Sequence, residues 1–198
     1  MFKFNKTLLA IGLLLSSVTQ AGISPLGFAL ISPVQLPSKD YTVAGARFST
    51  FWGQHASVYG LDFGVIGNVT NQHFGGIGVS GLFNLNQGSA TIVGLQFAGI
   101  TNININKASI YGLQIAAGVN YNKAESTLVG FQLALGNYSP FTHVIGAQLG
   151  IYNKAGIVRG LQIGLINDTE VLHGIQIGLV NFNRKGLFSV APILNIGF

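Results

Sequence analysis

The side chains able to carry proton transfer or metal ligation are few. The histidines are His55, His73, His143 and His173, and imidazole serves as a base or a metal ligand. They are scattered, each near the start of an expected strand or a turn. No carboxylate or nucleophile recurs beside them at a spacing that would assemble a triad or a metal set. The chain has no cysteine, which excludes disulfides, thiolate metal sites and a Cys nucleophile. It also has no P-loop, nucleophile elbow or His-Glu-x-x-His helix. Gly75-Gly76-Ile77-Gly78 superficially resembles a phosphate loop, but it lies inside a strand repeat rather than between a strand and a helix. The sequence therefore offers no catalytic, cofactor-binding or metal-binding residue, and the expectation is a protein that is not an enzyme.

Two polar sets stand out because they occupy one place in a repeat. Gln96, Gln114, Gln132, Gln148, Gln162 and Gln176 fall at the same position of successive units. A row of amides can line a narrow polar channel or bind sugar-like ligands, since each amide both donates and accepts. The simpler reading, which we prefer, is a network that satisfies itself across strands. The same position holds Arg47 in the first unit and Asp62 in the second. These two are expected to form an ion pair on the lumenal face of adjacent strands, or to be unrelated charges near a rim.

The repeat that places these residues dominates the chain. Gly160-Leu-Gln-Ile-Gly-Leu-Ile-Asn167 is nearly copied by Gly174-Ile-Gln-Ile-Gly-Leu-Val-Asn181. Weaker copies begin at Gly146, Gly130, Gly112 and Gly94, and degenerate ones at Gly76, Gly60 and Gly45. Gly, Gln and Gly alternate with Leu, Ile and Leu, a period of two that specifies a β-strand with one apolar and one small or polar face. Each later unit ends in Asn, whose side chain bonds locally to the backbone and suits a turn. A unit of this length fits one strand of roughly 9–11 residues, as a membrane β-strand needs, plus a short turn.

Two architectures use this pattern. In a transmembrane barrel the Leu and Ile face lipid and the Gln row faces the lumen. In a β-solenoid the apolar row fills the core and the Gln row meets water. Four features favour the barrel. The repeat length drifts, which in-register stacking resists. The non-apolar face carries Gly, Ala and Gln rather than charges. All six tyrosines sit near unit ends, as in the aromatic girdles of membrane barrels. The chain ends on the alternating apolar row Val190, Pro192, Leu194, Ile196 and Phe198, which resembles the sorting signal of outer-membrane barrels. The expected fold is all-β, an antiparallel up-and-down barrel of about 10–12 short strands, with the β-solenoid as the alternative.

Residues 1–21 read as a signal peptide: Lys3 and Lys6, the apolar run Leu8–Leu15, then Thr19-Gln20-Ala21. Residues 22–198 form a single β-repeat domain. Without Lys3 and Lys6, eight basic and five acidic residues remain, a net charge of +3. They form no run or stripe, so nucleic acid is not an expected partner. The repeat resembles that of a group of uncharacterised bacterial surface proteins with tandem Gly-Leu-Gln-Ile-Gly-Leu-x-Asn units, over roughly Gly45 to Phe198. That resemblance implies export and residence at the cell surface or outer membrane, and it transfers no site residues. The expected function is an integral outer-membrane protein with a structural or narrow-pore role, in contact with outer-membrane lipid and sorted by the insertion machinery through Phe198. The alternative is a secreted or surface solenoid that acts as an adhesin or interaction module for a host or surface ligand.

Overall fold

The computed structural model describes residues 22–198; the signal-peptide reading falls on residues 1–21, outside the described residues. As period-two patterning requires, the units are extended. They form β1 (Ile23–Ile31), β2 (Val34–Leu36), β3 (Thr42–His55), β4 (Ser57–Gly64), β5 (Gly67–Thr70), β6 (Phe74–Ser80), β7 (Phe83–Asn86) and β8 (Ala90–Ala98). Then follow β9 (Thr101–Asn104), β10 (Ala108–Ala116), β11 (Val119–Asn122), β12 (Ser126–Leu133), β13 (Gly136–Leu149), β14 (Tyr152–Ile163), β15 (Ile166–Asn183) and β16 (Val190–Gly197).

Successive units do not pair as hairpins. They pair parallel and in register, with Gly94 against Gly112, Gly112 against Gly130 and Gly130 against Gly146. The chain therefore coils, returning to the same side after each unit, as a parallel β-solenoid of about 10 turns. This corrects the expected antiparallel barrel of 10–12 strands. Antiparallel pairing occurs at the two ends, where β2 pairs with β1 and β16 with β15. At the N-terminal end a turn at Ser32-Pro33 separates β1 from β2, and at the other end β16 begins at Val190.

Each coil has three short sides, shown here for the coil starting at Ala108. Side a runs through Ile110, which is buried, and Tyr111, which is exposed. Gly112 then bends the strand. Its φ is +138°, and the nine unit glycines span +117° to +151°, a region closed to residues with a Cβ. A Cβ at Gly112 would also overlap the carbonyl oxygen of Gly94 one coil below. Side b runs from Leu113 to Ala116, with Gln114 and Ala116 inward and Leu113 and Ile115 outward. After a second corner, side c is β11, with Asn120 and Asn122 inward.

The bend explains why both expectations about the faces are corrected. Period two holds on side b, but the face that turns inward is the amide one. Gln114, Gln132, Gln148, Gln162 and Gln176 are all buried, whereas Leu113, Phe131, Leu133, Ile163 and Ile177 are exposed. There is no lumen for the Gln row to line, and the row does not meet water. The aliphatic part of the core is supplied by side a, through a stack that includes Val58, Phe74, Ile92, Ile110, Leu128, Val144, Val158 and Leu172.

The drift in repeat length, taken as evidence against stacking, is absorbed at two corners. Asn120 and Gly130 are separated by the outward bulge Lys123-Ala124-Glu125, whereas Gly156 alone stands out between Ala155 and Ile157. Glycine over glycine and Asn over Asn stay in register on either side. A solenoid corner can bulge into solvent without moving the ladders that hold adjacent coils together.

Candidate functional site

Side b and side c each carry a ladder of identical amides through the core. On side b, the Nε2 of Gln176 donates to Oε1 of Gln162 (2.7 Å), Gln162 to Gln148 (2.7 Å), Gln148 to Gln132 (2.8 Å), Gln132 to Gln114 (2.9 Å) and Gln114 to Gln96 (3.0 Å). On side c, Asn68 donates to Asn84, and the chain of donors continues through Asn102, Asn120, Asn137, Asn153 and Asn167 to Asn181 at 2.8–3.1 Å. The Gln donors point toward the N-terminal coils and the Asn donors toward the C-terminal coils. The two rows of amide dipoles therefore oppose and offset one another.

Each Asn also donates to backbone carbonyls, as Asn120 does to Gln114 O (3.1 Å) and Leu133 O (3.2 Å). That is how a polar interior avoids the cost of unpaired buried groups. The acceptors left without a partner include Asn68 Oδ1 and Gln176 Oε1, the two places where the ladders end. Beyond Asn68 the next coil has Gly53 in that row. Gln176 lies against Asn195 of the end strand β16, whose amide turns to Phe188 O instead. The Asn ladder was not anticipated: Asn at a unit end reads as a turn residue. Its regular recurrence was the available signal, since identical amides in register can bond to one another.

Arg47 and Asp62 meet inside the first coils, below the point where Gly78 interrupts the Gln row. Both are buried. The guanidinium is bidentate on the carboxylate, with Nε to Oδ1 and Nη2 to Oδ2 each 2.7 Å. Its Nη1 donates to Val69 O (2.8 Å) and Gly53 O (3.3 Å) and lies 3.3 Å from His55 Nδ1. His55 Nε2 is 3.2 Å from Pro37 O. Donation by Nε2–H to that carbonyl leaves Nδ1 to accept from Arg47, so the ring is neutral. Burial, and then the Arg47 charge, lower its pKa to about 4, against which the Pro37 contact works. This cluster lies at the N-terminal end of the core, and Arg47, His55 and Asp62 are not among the residues that line the apolar cavity beside it, between Phe28, Leu36, Phe48 and Phe63.

The other three histidines are not brought together. His73 Nδ1 accepts from Thr91 N (3.2 Å), and His143 and His173 are exposed on separate coils. Among the described residues, no group of three or more His, Asp or Glu is placed to hold a metal ion. One further charged cluster lies on side c: Asp168 accepts from Lys154 Nζ (2.6 Å) and from Arg184 Nε (3.0 Å) and Nη2 (2.9 Å). Burial alone would raise the Asp168 carboxyl, but the hydrogen bonds from Arg184 and Lys154 outweigh it and hold it below its ordinary range.

What remains as a candidate site is a surface. On side b and the corner that follows it, the outward residues include Phe48, Leu61, Phe63, Val65, Phe97, Ile100, Leu113, Phe131, Leu133, Leu135, Ile151, Leu165, Ile177 and Leu179, all more than a third exposed. Among the described residues, the charges on these stretches are Arg47 and Asp62, both turned inward. No protein-family model, curated protein or solved structure matches the chain.

Proposed function

We propose that this protein is an exported, non-enzymatic β-solenoid of the cell envelope that works by presenting side b to a partner. The carrying observation is that its large apolar residues point outward in stacked rows, the row from Phe48 to Ile177 without interruption, on a face that bears no outward charge. Soluble monomers rarely expose contiguous apolar patches beyond roughly 300–600 Å². Side b is built of β1, β3, β4, β6, β8, β10, β12, β13, β14, β15 and β16, so at about 4.8 Å per strand it runs roughly 45–50 Å. A strip of that length and only about 10 Å wide already reaches the patch limit. The interior is spent on amide ladders that fix coil against coil, which suits a rigid display element rather than a ligand chamber. A narrow pore is not supported, because the space between the sides is filled. Phe198 has no barrel to sort.

The test is cell fractionation of a producing bacterium with Leu95→Lys/Leu113→Lys, both outward on side b. The parent chain is expected in the envelope pellet, and the double variant, folded by circular dichroism, in the soluble fraction. A parent chain found wholly in the soluble fraction or medium, with the variant unchanged, contradicts the proposal.

A further inference from the structure

The partner of side b can be read from how the surface is graded around the coil. Side b and its corner offer almost no outward hydrogen-bonding side chain; Thr50 is the exception among the described residues. A protein partner of this size would ordinarily supply about one hydrogen bond per 100–200 Å² and a polar rim, for which this face has no matching groups. Hydrocarbon asks for none.

Moving away from side b, the chemistry changes in order. Tyr59 and Tyr111 stand outward on side a, beyond the glycine corner, at 45% and 47% exposure, and the same row carries the exposed Arg159 and His173 on the last two coils, polar groups suited to the same headgroup depth. On side c, Tyr121 stacks on Tyr138 (ring centroids 5.9 Å) and Tyr138 on Tyr152 (6.5 Å). Farthest from side b, the corner between sides c and a carries Lys107, Lys123, Glu125, Glu170, Arg184 and Lys185. Apolar, then tyrosine, then charge is the order met when passing from acyl chains through headgroups to water.

Both ends continue the apolar face. Phe28 stacks on Phe48 and Phe48 on Phe63 (5.9 and 5.8 Å). Leu194 and Ile196 of β16 lie against Ile177 and Ile175 at the other end.

We infer that side b binds a lipid bilayer surface, with the solenoid lying along the membrane, side b and its protruding corner among the acyl chains and the tyrosines at headgroup depth. This rests on the reading of side b as the working face and names its partner. It differs from a spanning barrel: the coils lie on one leaflet, and the charged corner stays in water.

The experiment uses the exported chain, purified in mild detergent and dialysed in the presence of vesicles of phosphatidylethanolamine and phosphatidylglycerol, followed by flotation. Three variants accompany it: Phe131→Lys/Leu133→Lys on side b, Ser89→Lys at the charged corner as a control, and Leu133→Trp as a depth probe. The parent and Ser89→Lys are expected to float. The side-b lysine variant should lose at least tenfold in partition while keeping its β circular dichroism. The tryptophan at 133 should be quenched by lipids brominated on their acyl chains. A chain that does not float, but forms a dimer lost in the side-b lysine variant, overturns the lipid assignment and leaves side b as the binding face for a second copy. A chain that neither floats nor self-associates, with all variants alike, overturns both this inference and the proposed function.

Discussion

Arg47 and Asp62 are the residues whose loss should cost most in the interior. Removing one partner strands the other charge in a site buried from solvent, which costs about 3–5 kcal/mol, whereas replacing both with apolar groups of similar size is often near neutral. Asp62→Ala is therefore expected to lower stability by that amount in urea unfolding. Arg47→Met/Asp62→Leu should recover most of it. If the single and double variants fall equally, the pair is not the desolvated contact seen here. His55 adds a pH dependence beside it. Its folded pKa, about 4, lies below the ordinary 6.5 of an unfolded chain, so between these values the unfolded state binds the extra proton. The contribution is full above pH 6.5 and lost as pH falls toward 4. It amounts to on the order of 2 kcal/mol after allowing for solvent screening. Urea midpoints measured from pH 7 to pH 4.5 should fall in the parent and fall less in His55→Gln.

At the scale of the strand, the glycine corner decides the architecture. Gly112 has a positive φ and no room for a Cβ against Gly94, whereas Gly136 has ordinary backbone and a Cβ there would meet only Val119 Cγ2 at 3.7 Å. Gly112→Ala is expected to destabilise by more than about 2 kcal/mol, since it adds left-handed strain to a backbone clash. Gly136→Ala should stay within about 1 kcal/mol and can stabilise by stiffening the unfolded chain. Thermal unfolding of the two variants checks this; equal losses would mean that the corner is not where the strand bends.

The same corner explains what the sequence could and could not reveal about the elements. Alternation in Gly-Leu-Gln-Ile-Gly-Leu identified strands and grouped Gln with Gln on one face. It did not say which face turns inward, because period two is identical for a barrel wall and a solenoid side. The usual assumption that the apolar row faces the core or lipid and the amides face water fails here for a physical reason. Amides of one type, stacked in register, satisfy one another at 2.7–3.0 Å, so the polar row can be the buried one. The pairing direction was hidden as well. Neighbouring units read equally well as antiparallel hairpins until it is noticed that an antiparallel pair can align only one position of the repeat with itself, whereas parallel coils bring Gly over Gly, Gln over Gln and Asn over Asn together. Arg47 and Asp62 were legible as a pair because the repeat put both in the Gln position. The place of His55 beside them was not, since it depends on the fold of side c.

The molecule as a whole is a solenoid whose side b is turned inside out relative to the usual expectation, with amides inward and large apolar side chains outward, while side a supplies the aliphatic part of the core. Its surface is graded from the charge-free side b to the charged corner opposite, and its ends are closed by β2 and β16 pairing antiparallel to their neighbours. The absence of cysteine makes the central claim directly measurable, because each engineered thiol is the only one in the chain. Single cysteines at Phe131, Gln132 and Leu133 sample exposures of 52%, 0% and 48% in three consecutive residues. With the folded chain held in mild detergent, a small thiol reagent is predicted to modify Phe131→Cys and Leu133→Cys readily and Gln132→Cys only after unfolding. Rapid modification at 132 with protection at 131 and 133 would contradict the account, for it would put the apolar row inside and the amide row in water.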